Sequence, residues 1–196
     1  MNAIENVPHY LDKLRAALDA LPDDRLTRLG EMLYRAYRND RQVFTLGNGG
    51  SAATASHIAA DLAKNTIGPN MRRFRVLSLN DNTPMLTALA NDVGYEKVFS
   101  EQLKSLVRMG DLLIVLSTSG NSPSVLNAMR CAREQSAEVA AILGFDGGEA
   151  AGLADLALVV RSDHCGVVED VHLVINHIMV DYFKSKLMDE EPWLVA

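Results

Sequence analysis

The stretch "VFTLGNGGSAATASH", residues 43–57, decides the fold of this chain. A short apolar run passes through a glycine-rich turn into an alanine-rich segment, which is the pattern of a strand that leads directly into a helix. Four more apolar runs follow: "RVLSL" (75–79), "LLIVL" (112–116), "VAAIL" (139–143) and "LALVV" (156–160). Several are apolar on both faces, as are strands of a parallel sheet that helices cover.

Helical patterns alternate with these runs. They are expected at about 51–64, 83–90, 97–108, 123–135 and 166–187, and two more lie within residues 8–39, where leucines recur at three- and four-residue spacing. The alternation predicts an α/β fold: a three-layer sandwich with a flavodoxin-like, five-stranded parallel sheet and an N-terminal helical pair. Ligands of such folds bind at the carboxyl ends of the strands. The loops that follow the strands are therefore the candidate site.

The composition is that of an ordinary globular protein, with 48% hydrophobic and 22% charged residues in 196. The chain length predicts a single domain over residues 1–196. Because the helices of residues 1–40 are amphipathic, we expect them to pack on the core and on partner subunits. The formal net charge of −6 disfavours nucleic-acid binding. Only two cysteines occur, and neither a signal peptide nor a membrane-spanning run is recognisable, so we expect a cytoplasmic protein without membrane contact.

The glycine loop of residues 47–51 is ambiguous by itself. The start of a helix offers free amides to an anion, and Ser51 can cap the helix or donate its hydroxyl. Gly47, Gly49 and Ala52 match a dinucleotide fingerprint, but the acid required about 20 residues later is missing. A P-loop is excluded, because no lysine precedes Ser51. Taken alone, the loop is either a ligand site or a structural turn.

A second loop follows the third apolar run and is unusually rich in hydroxyl groups. Its residues are Ser117, Thr118, Ser119, Gly120, Asn121 and Ser122. The next helix begins at Pro123, a favoured first helical position. A Ser/Thr turn with a helix cap would explain part of this composition. Capping does not require so many hydroxyl groups, so the loop favours a phosphate-binding site.

Five motifs together carry a resemblance that extends over nearly the whole chain. They are "GNGGS" followed by His57, "ANDVG", "STSGNS", "GFDGG" and "EDVHLVINH". With these motifs the chain resembles the sugar isomerase (SIS) domain family. It is most similar to the phosphoheptose isomerases, which interconvert sedoheptulose 7-phosphate and D-glycero-D-manno-heptose 7-phosphate. It also resembles the DnaA initiator-associating proteins, which have the same fold and act by binding.

The resemblance implies a set of site residues. The substrate-binding positions are Asn48, Gly49, Gly50, Ser51, Asn91, Asp92, Ser117, Thr118, Ser119, Ser122 and Glu169. The positions for one zinc ion per site are His57, Asp61, Glu169 and His177, of which Asp61 and His177 would be catalytic. The resemblance also implies a homotetramer with active sites at subunit interfaces. Two positions depart from the typical pattern: Asp61 replaces a glutamate and Glu169 replaces a glutamine.

Helix geometry tests these ligand positions. His57 and Asp61 are four residues apart, so they lie on one helix face, where they suit either a metal ion or a surface ion pair. Glu169 and His177 are about 12 Å apart along a helix axis, so they share an ion only if both lean together or come from different subunits. By geometry alone His172 competes with His177, although a buried, hydrogen-bonded histidine is the commoner state of such a residue.

Three functions follow from these observations. The first is a metal-assisted aldose–ketose isomerase of a sugar phosphate, in which an acid–base pair moves a proton between C1 and C2 through an enediol. The second is a non-catalytic binder of a sugar phosphate or of DnaA. The third, a dinucleotide-binding protein, rests only on the glycine fingerprint. The acid at residue 61, together with His57 and His177, favours the enzyme.

Overall fold

A computed structural model describes residues 6–67 and 72–190 of the chain, with side chains up to residue 186. The predicted domain also includes residues 1–5, 68–71 and 191–196, which lie outside the described residues. None of the helices in the described ranges has the length and apolar character that a membrane crossing requires.

Five strands form one sheet within the described ranges, and every neighbouring pair is parallel. They are β1 (Val43–Leu46), β2 (Val76–Ser78), β3 (Leu112–Ser117), β4 (Glu138–Gly144) and β5 (Leu156–Val160). The order across the sheet is β2-β1-β3-β4-β5. This is the order of flavodoxin-like folds, so the predicted sheet and its topology are confirmed.

Eight α-helices surround this sheet in the described part of the chain. They are α1 (Val7–Asp19), α2 (Asp23–Arg38), α3 (Gly50–Lys64), α4 (Thr83–Asp92), α5 (Val98–Leu106), α6 (Pro123–Glu134), α7 (Gly148–Leu153) and α8 (Cys165–Glu190). Helices α1, α2, α3 and α8 contribute to the core on one face of the sheet, and α5, α6 and α7 contribute to the core on the other. The predicted three-layer sandwich is therefore confirmed.

Strand β3 shows why the sheet needs a helical layer on both faces. All of its residues are buried, and it is the central strand. Leu112, Ile114 and Leu116 belong to one core, and Leu113 and Val115 belong to the other. Side chains alternate between the faces of a strand, so one apolar run fills both cores.

The topology places the expected ligand crevice between β1 and β3. These two strands are neighbours, but the helices that follow them, α3 and α6, pack on opposite faces of the sheet. Such a point, where the chain connections diverge, is where open α/β sheets bind their ligands. The glycine loop and the hydroxyl-rich loop therefore flank the same crevice.

Several element boundaries differ from the prediction. The segment predicted as one helix at 97–108 is a 3₁₀ turn (Tyr95–Lys97) followed by α5. The helix predicted at 83–90 continues through Asn91 and Asp92, so these residues lie in its last turn. Helix α7 was missed because six residues are too few to show a helical period. Tertiary contacts support it instead: the buried Ala150 donates its amide to the Gly120 carbonyl (2.9 Å).

Candidate active site

Two positions of the loop after β1 favour glycine, one for lack of space and one for its backbone angle. A Cβ on Gly47 would lie 2.7 Å from the Cβ of Ser51, and Gly49 has φ +56°, which favours glycine. Asn80 holds the Gly47 backbone at two points: its Nδ2 donates to the carbonyl (2.9 Å) and its Oδ1 accepts from the amide (3.2 Å). Gly49 is the N-cap of α3, so Ser51 is a buried residue of the first turn and not the cap. The Ala52 amide of this first turn donates back to the Asn48 and Gly49 carbonyls (3.3 and 3.1 Å), which closes the loop onto the helix.

Asn48 connects the glycine loop to two other segments. Its Nδ2 donates to the hydroxyl of Ser124 in α6 (3.0 Å), and its Oδ1 accepts from the hydroxyl of Tyr95 (2.8 Å). Ser124 is buried and Tyr95 is exposed. Asn48 therefore links the glycine loop to the start of α6, which follows the hydroxyl-rich loop, and to Tyr95, three residues after Asp92.

The hydroxyl-rich loop is folded on itself by two of its serines. Ser117 Oγ accepts from the amide three residues later (3.0 Å), and Ser119 Oγ accepts from the amide two residues later (3.2 Å). Each hydroxyl still has its proton to donate. Ser122 is the N-cap of α6, but its side chain makes no capping hydrogen bond. With the half-buried Thr118, the loop presents several donors beside the start of a helix.

The other predicted substrate residues, Asn91, Asp92 and Glu169, lie on α4 and α8. Asn91 and Asp92 are exposed, and Asn91 Nδ2 donates to Asp92 Oδ1 (2.8 Å). Glu169 is near the start of α8, and its carboxylate lies so close to Gly50 that a Cβ on Gly50 would overlap it. The Glu169 carboxylate therefore lies beside the first residue of α3, next to the glycine loop.

His57, Asp61 and His177 converge where α3 lies beside α8. Each offers one ligand atom, and these atoms all lie within 4.8 Å of one another. Asp61 Oδ2 is 3.3 Å from His57 Nε2 and 3.8 Å from His177 Nε2. The side chains of His57 and His177 are 44% and 56% exposed, whereas that of Asp61 is 11% exposed. The group is therefore a carboxylate at the base of an open site between two imidazoles.

This donor set fits a zinc ion. Zinc binds imidazole nitrogen and carboxylate oxygen at about 2.0–2.2 Å, so two of its tetrahedral ligands lie about 3.3 Å apart. The distance from Asp61 to His57 has this value and that to His177 is slightly longer. Three protein ligands with an open side are typical of catalytic zinc sites. Glu169, the fourth predicted ligand, is not part of the group within one chain, and its ligand role stays a prediction.

Known proteins match both the sequence and the fold. Residues 9–144 match the SIS domain family. A phosphoheptose isomerase from Sulfurimonas denitrificans is 38% identical over 167 residues, 85% of this chain and 85% of that protein. Another from Pelobacter propionicus is 35% identical over 187 residues, 94% of this chain and 98% of that protein. This chain belongs to the phosphoheptose isomerase family.

The fold comparison agrees with this membership. A structure of a phosphoheptose isomerase from Neisseria gonorrhoeae has a TM-score of 0.84 and 32% identity, and the match covers 92% of this chain and 96% of that one. The predicted family is therefore confirmed, and so is the predicted class of enzyme, an aldose–ketose isomerase.

Two asparagines that hydrogen-bond Asp61 were not predicted from the sequence of this phosphoheptose isomerase family member. Asn65 Nδ2 donates to Asp61 Oδ1 (2.7 Å), and Asn176 Nδ2 donates to Asp61 Oδ2 (2.7 Å). Asn65 is four residues after Asp61 and is detectable by helix spacing. Asn176 is next to His177, but nothing in the sequence shows that α8 crosses α3 at this point.

His172 takes no part in this site. It is fully buried, and within the described part of the chain neither of its ring nitrogens makes a hydrogen bond. Burial lowers the pKa of His172 to about 4, and the nearby Leu143 carbonyl offsets only part of this effect. His172 is therefore a neutral core residue, and His177 is the one that reaches Asp61.

Proposed function

We propose that this member of the phosphoheptose isomerase family interconverts sedoheptulose 7-phosphate and D-glycero-D-manno-heptose 7-phosphate. Relatives of 35–38% identity that are named phosphoheptose isomerases support a heptose phosphate as the substrate. The observation on which the reaction chemistry rests is the convergence of His57, Asp61 and His177. A protein that only binds sugar phosphates or DnaA has no need of such a group.

The two loops would bind the substrate. We assign the phosphate to Ser117, Thr118, Ser119 and Ser122, because these hydroxyls and the start of α6 supply hydrogen-bond donors to an anion. Asn48, Gly49, Gly50 and Ser51, with Asn91, Asp92 and Glu169, would bind the hydroxyl groups of the sugar. The phosphate anchor holds C1 and C2 in place, so its binding energy reduces the entropic cost of the reaction.

The acid–base work falls to Asp61 and His177. In the ketose-to-aldose direction, one of them removes a proton from C1 while an acid protonates the C2 oxygen, which gives the enediol. Return of a proton to C2, with loss of the proton on the C1 oxygen, gives the aldose. His57, Asp61 and His177 would hold a zinc ion, which when bound supplies positive charge that stabilises developing negative charge on oxygen.

The active sites would lie between subunits of a homotetramer. His57 and Asp61 are about 9 and 15 Å further along α3 than Ser51, which lies beside the glycine loop. The imidazoles are also open to solvent within one chain. Both features suit a site in which one chain supplies the metal ligands and its partner supplies the substrate loops, with the N-terminal helices of each single-domain chain packed on partners. The same arrangement would let Glu169 of one subunit complete a site of another.

We also propose a cytoplasmic location. Cys131 is buried and Cys165 is exposed, and both are unpaired among the described residues. Such use of cysteine is typical of a reducing compartment.

Turnover tests the proposed reaction. Zinc-loaded protein is incubated with sedoheptulose 7-phosphate and the aldose product is measured, with Asp61→Ala as the inactive variant and His9→Ala, on α1, as a histidine control. We expect turnover in the wild type and in His9→Ala, and none above background in Asp61→Ala. Tight binding of several ketose phosphates without turnover would instead identify a binding protein.

Subunit mixing tests the interface site. The Asp61→Ala variant lacks a metal ligand. A double variant, with Ser119→Ala and Ser122→Ala in the same chain, lacks two hydroxyl donors of the loop. Each is expected to have low activity. Mixed tetramers would contain some sites with one intact ligand set and one intact loop. Activity that rises on mixing above the sum of the two parents supports shared sites, and activity equal to the sum argues for sites within one chain. Light scattering should give the mass of four 21.4-kDa chains.

A further inference from the structure

The carboxylate of Asp61 is held at both oxygens by neutral amides. Asn65, at the end of α3, donates to Oδ1, and Asn176, on α8, donates to Oδ2, each over 2.7 Å. Asn176 is 3% exposed and Asp61 is 8% exposed, so water does not readily replace the Asn176 contact. A buried hydrogen bond to a carboxylate fixes its orientation more firmly than an exposed one.

The arrangement leaves one direction of Oδ2 available. An ionised carboxylate has about four lone-pair positions, two on each oxygen. On Oδ2, one position is used by Asn176, while His57 Nε2 and His177 Nε2 lie near the same atom at 3.3 Å and 3.8 Å. The amides carry no net charge, so they orient Asp61 without neutralising the negative charge that attracts a cation.

We propose that Asn176 and Asn65 are positioning residues that hold Asp61 as a one-oxygen ligand for the metal ion between His57 and His177. The proposal rests on the proposed metal site. Asn176 has the larger part, because it contacts the oxygen that faces the imidazoles. It also precedes His177 directly, so the same hydrogen bond sets how α8 and its histidine lie against α3. Asn65 limits rotation of the Asp61 carboxylate about the bond that joins it to Cβ.

Zinc affinity is the principal test, measured by competition with a chromogenic chelator. Asn176→Leu keeps a side chain of similar size and removes the donor. We expect its zinc affinity to fall about 10- to 100-fold, as is usual when the hydrogen-bond partner of a metal ligand is removed. Asn65→Ala, at a half-buried position, should lose less affinity because Asn65 contacts Oδ1, whereas both imidazole contacts are with Oδ2. It also serves as the test variant if Asn176→Leu does not fold.

A double-mutant cycle separates positioning from a general structural effect. If Asn176 acts through Asp61, then Asn176→Leu changes zinc affinity little once Asp61 is already alanine. A general disturbance of α8 would lower the affinity by the same factor in both backgrounds, which contradicts the proposal. Asn39→Ala, at the end of α2, is the matched asparagine control and should bind zinc like the wild type.

Cobalt(II) gives a second readout that does not depend on activity. Its visible absorption reports coordination number and geometry, so Asn176→Leu should shift or weaken the bands of the cobalt-loaded wild type. Identical spectra and affinities in Asn176→Leu, Asn65→Ala and wild type would overturn the proposal. If instead His57→Ala binds zinc as well as the wild type, the metal site itself is wrong, and the two failures are distinguished.

Discussion

Two faces of helix α8 carry histidines with opposite properties. His172 points into the core, is fully buried and has a pKa lowered to about 4 by burial. His177 lies only five residues later, about 140° around the helix. Its side chain is 56% exposed and reaches the carboxylate of Asp61. The residue type is the same, so the difference in chemistry comes only from what each face packs against.

The comparison shows why one face has a structural role and the other a chemical one. The face with His172 packs on the sheet, where an imidazole is tolerated only in its neutral form. The face with His177 meets α3, which presents Asp61 and His57 at helical spacing. A carboxylate in a site that is open to solvent on one side can bind a metal ion or transfer a proton. We expect substitutions on the two faces to affect different properties.

The largest effect is expected at the site face. His177→Ala should lower turnover of sedoheptulose 7-phosphate about 10²- to 10⁴-fold, the usual contribution of an acid–base residue. Because the side chain is half exposed, the free energy of unfolding should change little. Steady-state kinetics and urea unfolding of the same preparation measure both. A variant that keeps its activity, or that loses activity only because it unfolds, would contradict the assigned role.

The next effect concerns the core face and depends on pH. His172 is neutral in the folded protein down to about pH 4, whereas in the unfolded chain it takes up a proton near its ordinary pKa of 6.5. The unfolded state therefore binds the extra proton between these values, so stability falls as the pH decreases from 6.5 towards 4. At pH 5 this amounts to about 2 kcal/mol relative to pH 7.5.

Urea unfolding at pH 7.5 and pH 5 tests this contribution. His172→Leu should lose the pH-dependent part that His172 supplies, while His177→Ala, which retains His172, should keep it. If the wild type and His172→Leu lose the same stability on acidification, then His172 does not titrate as inferred, and the contrast between the two faces fails.

The smallest effect is expected where α8 meets α1. Tyr10 OH donates to Asp170 Oδ2 (2.6 Å) at an exposed position, and this hydrogen bond raises the pKa of Tyr10. Tyr10→Phe should lower the free energy of unfolding by less than about 1 kcal/mol, because solvent competes for an exposed hydrogen bond. Thermal unfolding measures the change, with Arg15→Ala on the same helix as a surface control. A much larger loss would indicate that this contact face is buried in the assembly.

Local patterns were sufficient for most of the fold. Strands β1 and β5 have the predicted bounds, because short apolar runs between turn residues define strands without reference to the rest of the chain. The pairing of His57 with Asp61 was likewise predictable from helix spacing. Helix α7 was not, because its six residues are supported by contacts with distant segments.

The amino-acid sequence by itself determined the α/β sandwich, the two loops beside the crevice and, through its motifs, the family. These depend on periodicity and on residue types that lie close together along the chain. The motif resemblance already favoured His177, but only the tertiary structure decided on geometric grounds that His177 and not His172 meets Asp61, that Asn176 reaches Asp61 and that Tyr95 reaches Asn48. These contacts join residues 47 to 116 positions apart, and they depend on how whole helices cross, which no local pattern records.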